Sequence, residues 1–399
     1  MNKKINPFKP FGKVIAPPSK SVAHRMIICA ALANGESVIK GISASEDILA
    51  TLDCARALGA KCILEGDTLT ISRANQNNEY VFPCRESGST LRFFIPIALA
   101  LFSNATFTGT KRLMERGVGI YEELFEKIGI IIEKDETSIK FCGKLTGGNY
   151  SINGNVSSQF ITGLLLALAL LEDDSTVNVI PPVESKSYIN ITLGVMRSFG
   201  VEVAEISENR YYVKGGQKYK PQKAKVEGDW SNGSVFYGFN EIGGNIDIEG
   251  LCKDSLQGDK ACIQCFDKID KAQTVDISDC PDLAPVLFAV AAIKGGGNFV
   301  GTRRLKIKES DRAEAMKQEL AKFGVNVEIF ENSVSIGPNE IRKPTLRLCS
   351  HNDHRIVMAL TVLASISGGI IENAQVVSKS YPDFFERITE LGGDIEDVT

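Results

Sequence analysis

The stretch Pro17-Pro18-Ser19-Lys20-Ser21-Val22-Ala23-His24-Arg25 is a short polar turn that opens into an apolar helix, expected over Met26 to Ala33 and closed by Gly35. A helix start leaves several backbone N–H groups unpaired, with the positive end of the aligned peptide dipoles behind them. Lys20, Ser21 and Arg25 add donors and charge, so the turn reads as a small anion receptor made from local chemistry. A single such turn is more simply explained by a serine capping its own helix. Recurrence is what separates the two readings.

The same unit returns along the chain. Ser87-Gly88-Ser89-Thr90 runs into Leu91 to Phe102, and Ser157-Ser158-Gln159 into Phe160 to Leu171. Ser231-Asn232-Gly233-Ser234 precedes Val235 to Phe239, Asp282 precedes Leu283 to Ile293, and Asn352-Asp353-His354-Arg355 precedes Ile356 to Ile366. A second marker keeps step: Leu58-Gly59, Ile128-Gly129, Phe199-Gly200, Phe323-Gly324 and Leu391-Gly392, with Ile269-Asp270 as a degraded sixth copy. The spacing is about 70 residues, apart from one shortened step of about 54, which is the mark of an internally repeated architecture.

Each repeat reads as strand, helix, strand, helix and a two-strand return. Thr68-Leu69-Thr70-Ile71-Ser72 alternates cleanly, giving one wet and one dry face, and Ser138 to Phe141, Arg210 to Val213 and Ser333 to Ile336 behave alike. Phe160 to Leu171 and Leu283 to Ile293 have almost no polar face and must be buried. The expected fold is therefore α/β, as two inside-out domains of three βαβαββ repeats each, with parallel helices buried and sheets outside. Repeat phase puts one chain crossing near Pro221 to Glu227. The strand Phe11 to Ala16 is expected to pair with the C-terminal half. One domain would thus comprise 1–16 plus 227–399 and the other 17–226, with the active site expected in a cleft between them.

The chain has 399 residues, enough for two full cores, and a net charge of −4 that argues against a nucleic-acid partner. Met1 to Lys13 is basic without the apolar core of a secretory signal, so a cytoplasmic location is expected. The apolar run Gly163 to Leu171 is too short to span a bilayer. Ten cysteines lack any framework spacing, as expected of reduced thiols. Cys262-Ile263-Gln264-Cys265 has no second pair or nearby histidine to complete a zinc site, and His351 with His354 beside Asp353 reads as hydrogen-bonding or anion-contacting rather than metal-binding. Gly295-Gly296-Gly297 lacks the lysine of a phosphate-binding loop and reads as a turn.

Cations cluster at points whole repeats apart: Lys20 and Arg25, Arg112 and Arg116, Lys308 and Arg312, Arg355, and Lys379. Scattered surface charge explains any one of them, but not Lys306-Ile307-Lys308-Glu309-Ser310-Asp311-Arg312, where both signs crowd a helix start. Arginines at helix N-termini suit carboxylate and phosphate ligands. Asp282 and Glu309 stand out as candidate proton carriers, with capping and salt bridging as the alternative for each.

Together these stretches resemble the EPSP synthase (3-phosphoshikimate 1-carboxyvinyltransferase) family over nearly the whole chain. The likeness rests on the opening stretch, Ser87-Gly88-Ser89-Thr90-Leu91-Arg92, Glu115-Arg116, Ser157-Ser158-Gln159-Phe160 and Ser185-Lys186-Ser187-Tyr188-Ile189. It continues through Glu227-Gly228-Asp229, Pro281-Asp282, Lys308 to Arg312, Asn352 to Arg355 and Lys379 to Phe384. The resemblance implies transfer of the enolpyruvyl group of phosphoenolpyruvate to the 5-hydroxyl of shikimate 3-phosphate, with no metal or organic cofactor and a monomeric enzyme. It implies shikimate 3-phosphate at Lys20, Ser21, Arg25, Ser157, Ser158, Gln159, Ser185, Tyr188, Asp282 and Lys308. Phosphoenolpyruvate would meet Lys20, Gly88, Arg116, Gln159, Arg312, Arg355 and Lys379. Asp282 would be the base, Glu309 the acid that protonates the methylene, and Lys20 a third catalytic group. Glu86 and Arg304 depart from the family's frequent asparagines, and the fourth repeat is short between Gly250 and Asp282. The related UDP-N-acetylglucosamine enolpyruvyl transferases carry a reactive cysteine in the second repeat, which Thr110 to Arg116 lacks. A catalytically silent anion binder would have no reason to retain Asp282, Glu309, Lys20 and Lys379 together.

Overall fold

A computed structural model describes residues 1–73, 80–338 and 340–398. The chain divides into two compact units, Met1–Pro17 with Glu227–Thr399, and Pro18–Val226. Each has its own apolar core.

In the unit Pro18–Val226, three four-stranded sheets share one pattern of parallel and antiparallel pairing. In the first, Lys223–Lys225 lies parallel to Glu36–Lys40, which pairs antiparallel with Thr68–Arg73, itself antiparallel to Ala60–Glu65. Val81–Pro83, Asn104–Thr108, Ser138–Cys142 and Ile131–Lys134 repeat that order, as do Asn149–Asn153, Ser175–Ile180, Arg210–Val213 and Val203–Ser207. Alternate residues of Thr68–Arg73 are buried, as its period-two pattern requires. The helices Lys20–Leu32, Gly88–Leu101, Ser158–Leu168 and Lys186–Ser198 pack on one another inside the unit. In Ser158–Leu168 every residue but Gln159 is buried. Each fully buried Leu or Phe there contributes about 1.5–3 kcal/mol. Gly163 sets the spacing in this bundle: a Cβ at that position would lie 2.3 Å from both the Arg92 carbonyl oxygen and the Tyr121 hydroxyl.

The other unit repeats the sheet order twice. Val275–Asp276, Gly297–Val300, Ser333–Ile336 and Val327–Ile329 form one copy, and Leu348–Cys349, Gly369–Glu372, Asn2–Ile5 and Ile395–Val398 the next. In the latter the start of the chain supplies a strand that a return hairpin supplies elsewhere. The fourth repeat contributes only Asn245–Glu249, parallel to Phe11–Ile15, which is where the short step in the sequence falls. Its central helices, Ala284–Ile293 and His354–Ser367, are buried along nearly their whole lengths. Among the described residues, no helix is long and apolar enough to cross a membrane.

Several helix starts lie earlier than expected. The first helix runs Lys20–Leu32 rather than from Met26, because nothing between Ser21 and Arg25 breaks a helix and the proline pair ahead sets the boundary. Likewise Trp230–Glu241 starts at an Asp229 cap and absorbs Ser231 to Ser234. Asp282 sits not at a helix cap but inside a 3-10 turn, Pro281–Leu283, ahead of the buried helix. Lys20, Ser21 and Arg25 therefore ride on the first turns of a helix, with side-chain directions fixed by it.

Candidate active site

In the unit Pro18–Val226, four helix starts carry the residues expected to bind substrate. Lys20 Nζ is 2.6 Å from Asp47 Oδ2, on the neighbouring helix Glu46–Ala57. Arg25 is buried, and its guanidinium ties three helices together. Its Nε donates to Thr192 Oγ1 at 2.7 Å, one terminal nitrogen to the Ser21 carbonyl at 2.7 Å, and the other to Thr162 Oγ1 and the Tyr188 carbonyl, each at 3.2 Å. Burial lowers its pKa to about 10, so it stays charged at neutral pH. Four of the five guanidinium N–H groups are used in these bonds.

Gln159 follows the Ser157 cap, whose hydroxyl accepts from the Gln159 amide. Its side chain is held at both ends: Oε1 accepts from Arg92 at 2.6 Å and Nε2 donates to Ser89 Oγ at 2.9 Å. The other terminal nitrogen of Arg92 reaches the carbonyls of Arg116 and Gly117 at 3.3 Å. Arg116 ends the short helix Lys111–Glu115 with its guanidinium over Gly88, and its Nε is buried without a hydrogen-bond partner. Ser157, Ser158 and Ser185 are all buried, and Ser185 adopts a left-handed backbone (φ 58°) just ahead of the helix Lys186–Ser198. A non-glycine residue in that region costs about 1–3 kcal/mol and recurs at functional sites. Tyr188 lies one turn on and is half-buried.

A chain of buried hydroxyls fixes these helices behind the charged groups. His24 Nδ1 is 2.6 Å from Thr51 Oγ1, which is 2.8 Å from Thr90 Oγ1, which donates to Ser87 Oγ at 2.8 Å. Burial lowers the His24 pKa to about 3, with Asp47 opposing and Lys20 and Arg25 reinforcing that shift. The unfolded chain takes up this proton near pH 6.5 and the folded one only near 3. Between those values the unfolded state binds more protons, so stability is lost as pH falls. Unfolding free energy is expected to drop by about 1.4 kcal/mol per pH unit below pH 6 through this group alone. Urea titrations of wild type and His24→Gln between pH 7 and 5 check this, since the variant's curve should be flatter.

In the unit Met1–Pro17 with Glu227–Thr399, one buried guanidinium organises the acids. Arg312, at the start of the helix Arg312–Lys322, donates to Asp282 Oδ1 at 2.7 Å, Glu309 Oε2 at 2.7 Å and Asp353 Oδ2 at 2.9 Å. Burial would lower its pKa, but Asp353, Glu309 and Asp282 outweigh that and raise it. Lys308 Nζ also reaches Asp282 Oδ1, at 2.9 Å. Burial would push the Asp282 carboxyl up, yet Lys308, Arg312 and Arg355 hold it well below the usual carboxylate range. Lys308 is itself lowered by burial. Asp353 caps the helix His354–Ser367 by accepting from the Arg355 amide at 2.9 Å and takes a third bond from Ser310 Oγ at 3.0 Å. Arg355 donates to Asn232 Oδ1 at 3.2 Å, while its Nε is buried without a hydrogen-bond partner. Lys379 Nζ donates to the Asn352 carbonyl at 3.0 Å.

Asp282, Lys308, Glu309 and Arg312 are thus in one network, joined to Arg355 through Asp353. Lys379 reaches the same loop by way of Asn352. In the other unit Arg25, Tyr188 and Ser21 are joined, as are Gln159, Arg92 and the Arg116 backbone, while Lys20 pairs with Asp47. Sequence reasoning assigned no role to Asp47, Arg92 or Asp353. All three act on an expected site residue across a gap in sequence, and only the alternation of charge around them hinted at it. Of the departures, Glu86 is half-buried beside the Ser87 cap, and Arg304 is buried and its charge helps to lower Lys308.

The sequence profile of the family described as EPSP synthase (3-phosphoshikimate 1-carboxyvinyltransferase) matches residues 6–388. A 3-phosphoshikimate 1-carboxyvinyltransferase of Clostridium perfringens (strain SM101 / Type A) is 39% identical over 416 residues, covering 98% of each chain. One from Clostridium kluyveri is 40% identical over 419 residues with the same coverage. In fold the chain is similar to the EPSP synthase of Acinetobacter baumannii, with a TM-score of 0.80 at 22% identity over 99% of this chain and 100% of that one.

Proposed function

Because the chain belongs to the EPSP synthase family, and so transfers the enolpyruvyl group of phosphoenolpyruvate to the 5-hydroxyl of shikimate 3-phosphate, we propose that the two charged networks divide that reaction between them. Ser21, Arg25, Ser157, Ser158, Gln159, Ser185 and Tyr188 hold shikimate 3-phosphate, together with Lys20, Asp282 and Lys308. Gly88, Arg116, Gln159, Arg312, Arg355, Lys379 and Lys20 hold phosphoenolpyruvate. Asp282 takes the proton of the 5-hydroxyl as its oxygen bonds to C2 of the enol, and Glu309 delivers a proton to the methylene carbon. The same two groups then reverse roles as the C2–phosphate bond breaks and the enol is restored. Both substrates are anions, so bringing them together needs this density of cations, and departure of phosphate needs positive charge at the leaving group.

The observation that carries the role assignment is Arg312, whose one guanidinium binds both proposed proton carriers at 2.7 Å. The deciding assay is phosphate release from phosphoenolpyruvate with shikimate 3-phosphate as acceptor, against UDP-N-acetylglucosamine. Release is expected with the former only, and equal release with the latter would overturn the acceptor assignment. We read the enzyme as a cytoplasmic monomer. Ten cysteines without framework spacing support the compartment, family likeness supports the oligomeric state, and sedimentation at micromolar concentration checks the latter.

Gly88 offers a separate test of the phosphoenolpyruvate half. A Cβ there would lie 2.9 Å from Arg116 Nη2 and 3.1 Å from its Cζ and Nη1. The guanidinium is the free end of a long side chain, so it can shift without unfolding the helix. Gly88→Ala is expected to leave the melting temperature nearly unchanged and to raise KM for phosphoenolpyruvate by about tenfold, the equivalent of one lost charge-assisted contact. KM for shikimate 3-phosphate should move far less.

A further inference from the structure

Glu319 lies seven residues after Arg312 on the same helix, two turns away and on the same face. Its carboxylate is only 1% exposed and fully engaged. One oxygen is 2.8 Å from His351 Nε2 and 2.9 Å from Lys322 Nζ; the other accepts from Lys322 Nζ at 2.8 Å and from the Cys349 amide at 2.9 Å. Two of these partners belong to the segment that leads into the helix His354–Ser367. That segment is kinked: His351 and Asn352 have φ of 48° and 56°, two successive non-glycine residues in the left-handed region. Such a pair is unfavourable for residues that carry a Cβ and persists only where its surroundings hold it.

The far side of the kink carries the cations. The Asn352 carbonyl takes Lys379 Nζ, Asp353 takes Arg312, and Asp353 also caps the amide of Arg355. We infer that Glu319 is a positioning residue for phosphoenolpyruvate, acting through His351 and the Cys349 amide to hold the 350–353 turn in the shape that aims Lys379, Arg355 and Arg312. The inference rests on the reading of those three cations given above. Glu319 itself has no free oxygen with which to meet substrate, so it acts only through the turn. For this bond the proton of His351 sits on Nε2.

The test separates aim from mere stability. His351→Ala removes the side-chain tie alone, and Glu319→Gln removes the charge while keeping the volume. Both are expected to raise KM for phosphoenolpyruvate by about tenfold, the worth of a hydrogen bond to a charged group, with KM for shikimate 3-phosphate within about twofold. His351→Gln, whose amide can donate to the same carboxylate, should restore most of the affinity. Lys322→Met removes a partner on Glu319's own helix and should lower the melting temperature without moving either KM. If His351→Ala and Glu319→Gln leave KM for phosphoenolpyruvate unchanged while Lys379→Met raises it, the inference fails and the assignment of the cations stands. Lys379→Met with an unchanged KM would overturn that assignment, and the inference with it. Parallel losses in kcat and in both KM values, tracking the melting temperature, would reduce Glu319 to a structural role.

Discussion

Arg312→Met is expected to lose about 3–5 kcal/mol of unfolding free energy and all measurable turnover. The substitution keeps the volume of a buried side chain but removes the cation that Asp353, Asp282 and Glu309 share, although Lys308 still reaches Asp282. Asp353 suffers most, since it is 0% exposed and its remaining bonds come from a hydroxyl and a backbone amide. A buried carboxylate stripped of its cation either stays charged at high cost or takes up a proton, so the loss should shrink as pH is lowered toward 4. Arg312→Lys keeps the charge but not the fork that reaches three acids at once, and should recover only part of the stability. In Arg312→Met/Asp353→Asn the second change removes the stranded charge. Stability should then return by about 1–3 kcal/mol while turnover stays absent. Urea unfolding of the four proteins decides the matter. A single variant as stable as wild type would mean that the guanidinium does not hold the acids together.

Much of the architecture was legible because its signals are local. The alternation of Thr68 to Ser72 and the unbroken apolar run after Phe160 are read within one element, and each predicts which face is dry. The shortened step between the fourth and fifth helix starts corresponds to the sheet reduced to Asn245–Glu249 and Phe11–Ile15. What stayed hidden is long-range. The strand Asn2–Ile5 completes a sheet with residues near 370 and 396, and no pattern in five N-terminal residues states that partner. Helix boundaries were misplaced for a related reason. Polar residues such as Lys20 and Ser21 look like a turn by composition, yet they continue a helix whose start is set by the prolines before it. In the site, the cations were visible as clusters, and Asp282 and Glu309 stood out beside them, but the partners Asp353 and Asp47 did not. Arg312 and Asp353 are 41 residues apart, and Lys20 and Asp47 are 27 apart, so only the packing of one helix start against another pairs them. Asp47, Arg92, Asp353 and Glu319 share this property: each orients a residue that the sequence does reveal.

Asp282→Asn is expected to reduce kcat by about 10²–10⁴ while changing KM for either substrate by less than about threefold. The amide has the same shape and its oxygen still accepts from Lys308 and Arg312, so substrate binding survives, whereas the proton acceptor is gone. Three cations, Lys308, Arg312 and Arg355, hold the Asp282 carboxyl well below its usual range, which makes it a weak base in the free enzyme. Two anionic substrates change that balance. On the proposed placement of the substrates, a phosphate and a carboxylate brought against Lys308, Arg312 and Arg355 would draw on the same positive charge, and the proton affinity of Asp282 would rise as the hydroxyl arrives. On that proposal the base is strengthened by the molecules it acts on. The pH profiles carry the signature: kcat/KM reports the free enzyme and kcat the complex. The acid limb of kcat/KM attributable to Asp282 should lie below the normal carboxylate range, and that of kcat should lie above it. If the two limbs coincide, substrate charge does not tune this carboxylate. If Asp282→Asn turns over at the wild-type rate, some other group takes the proton.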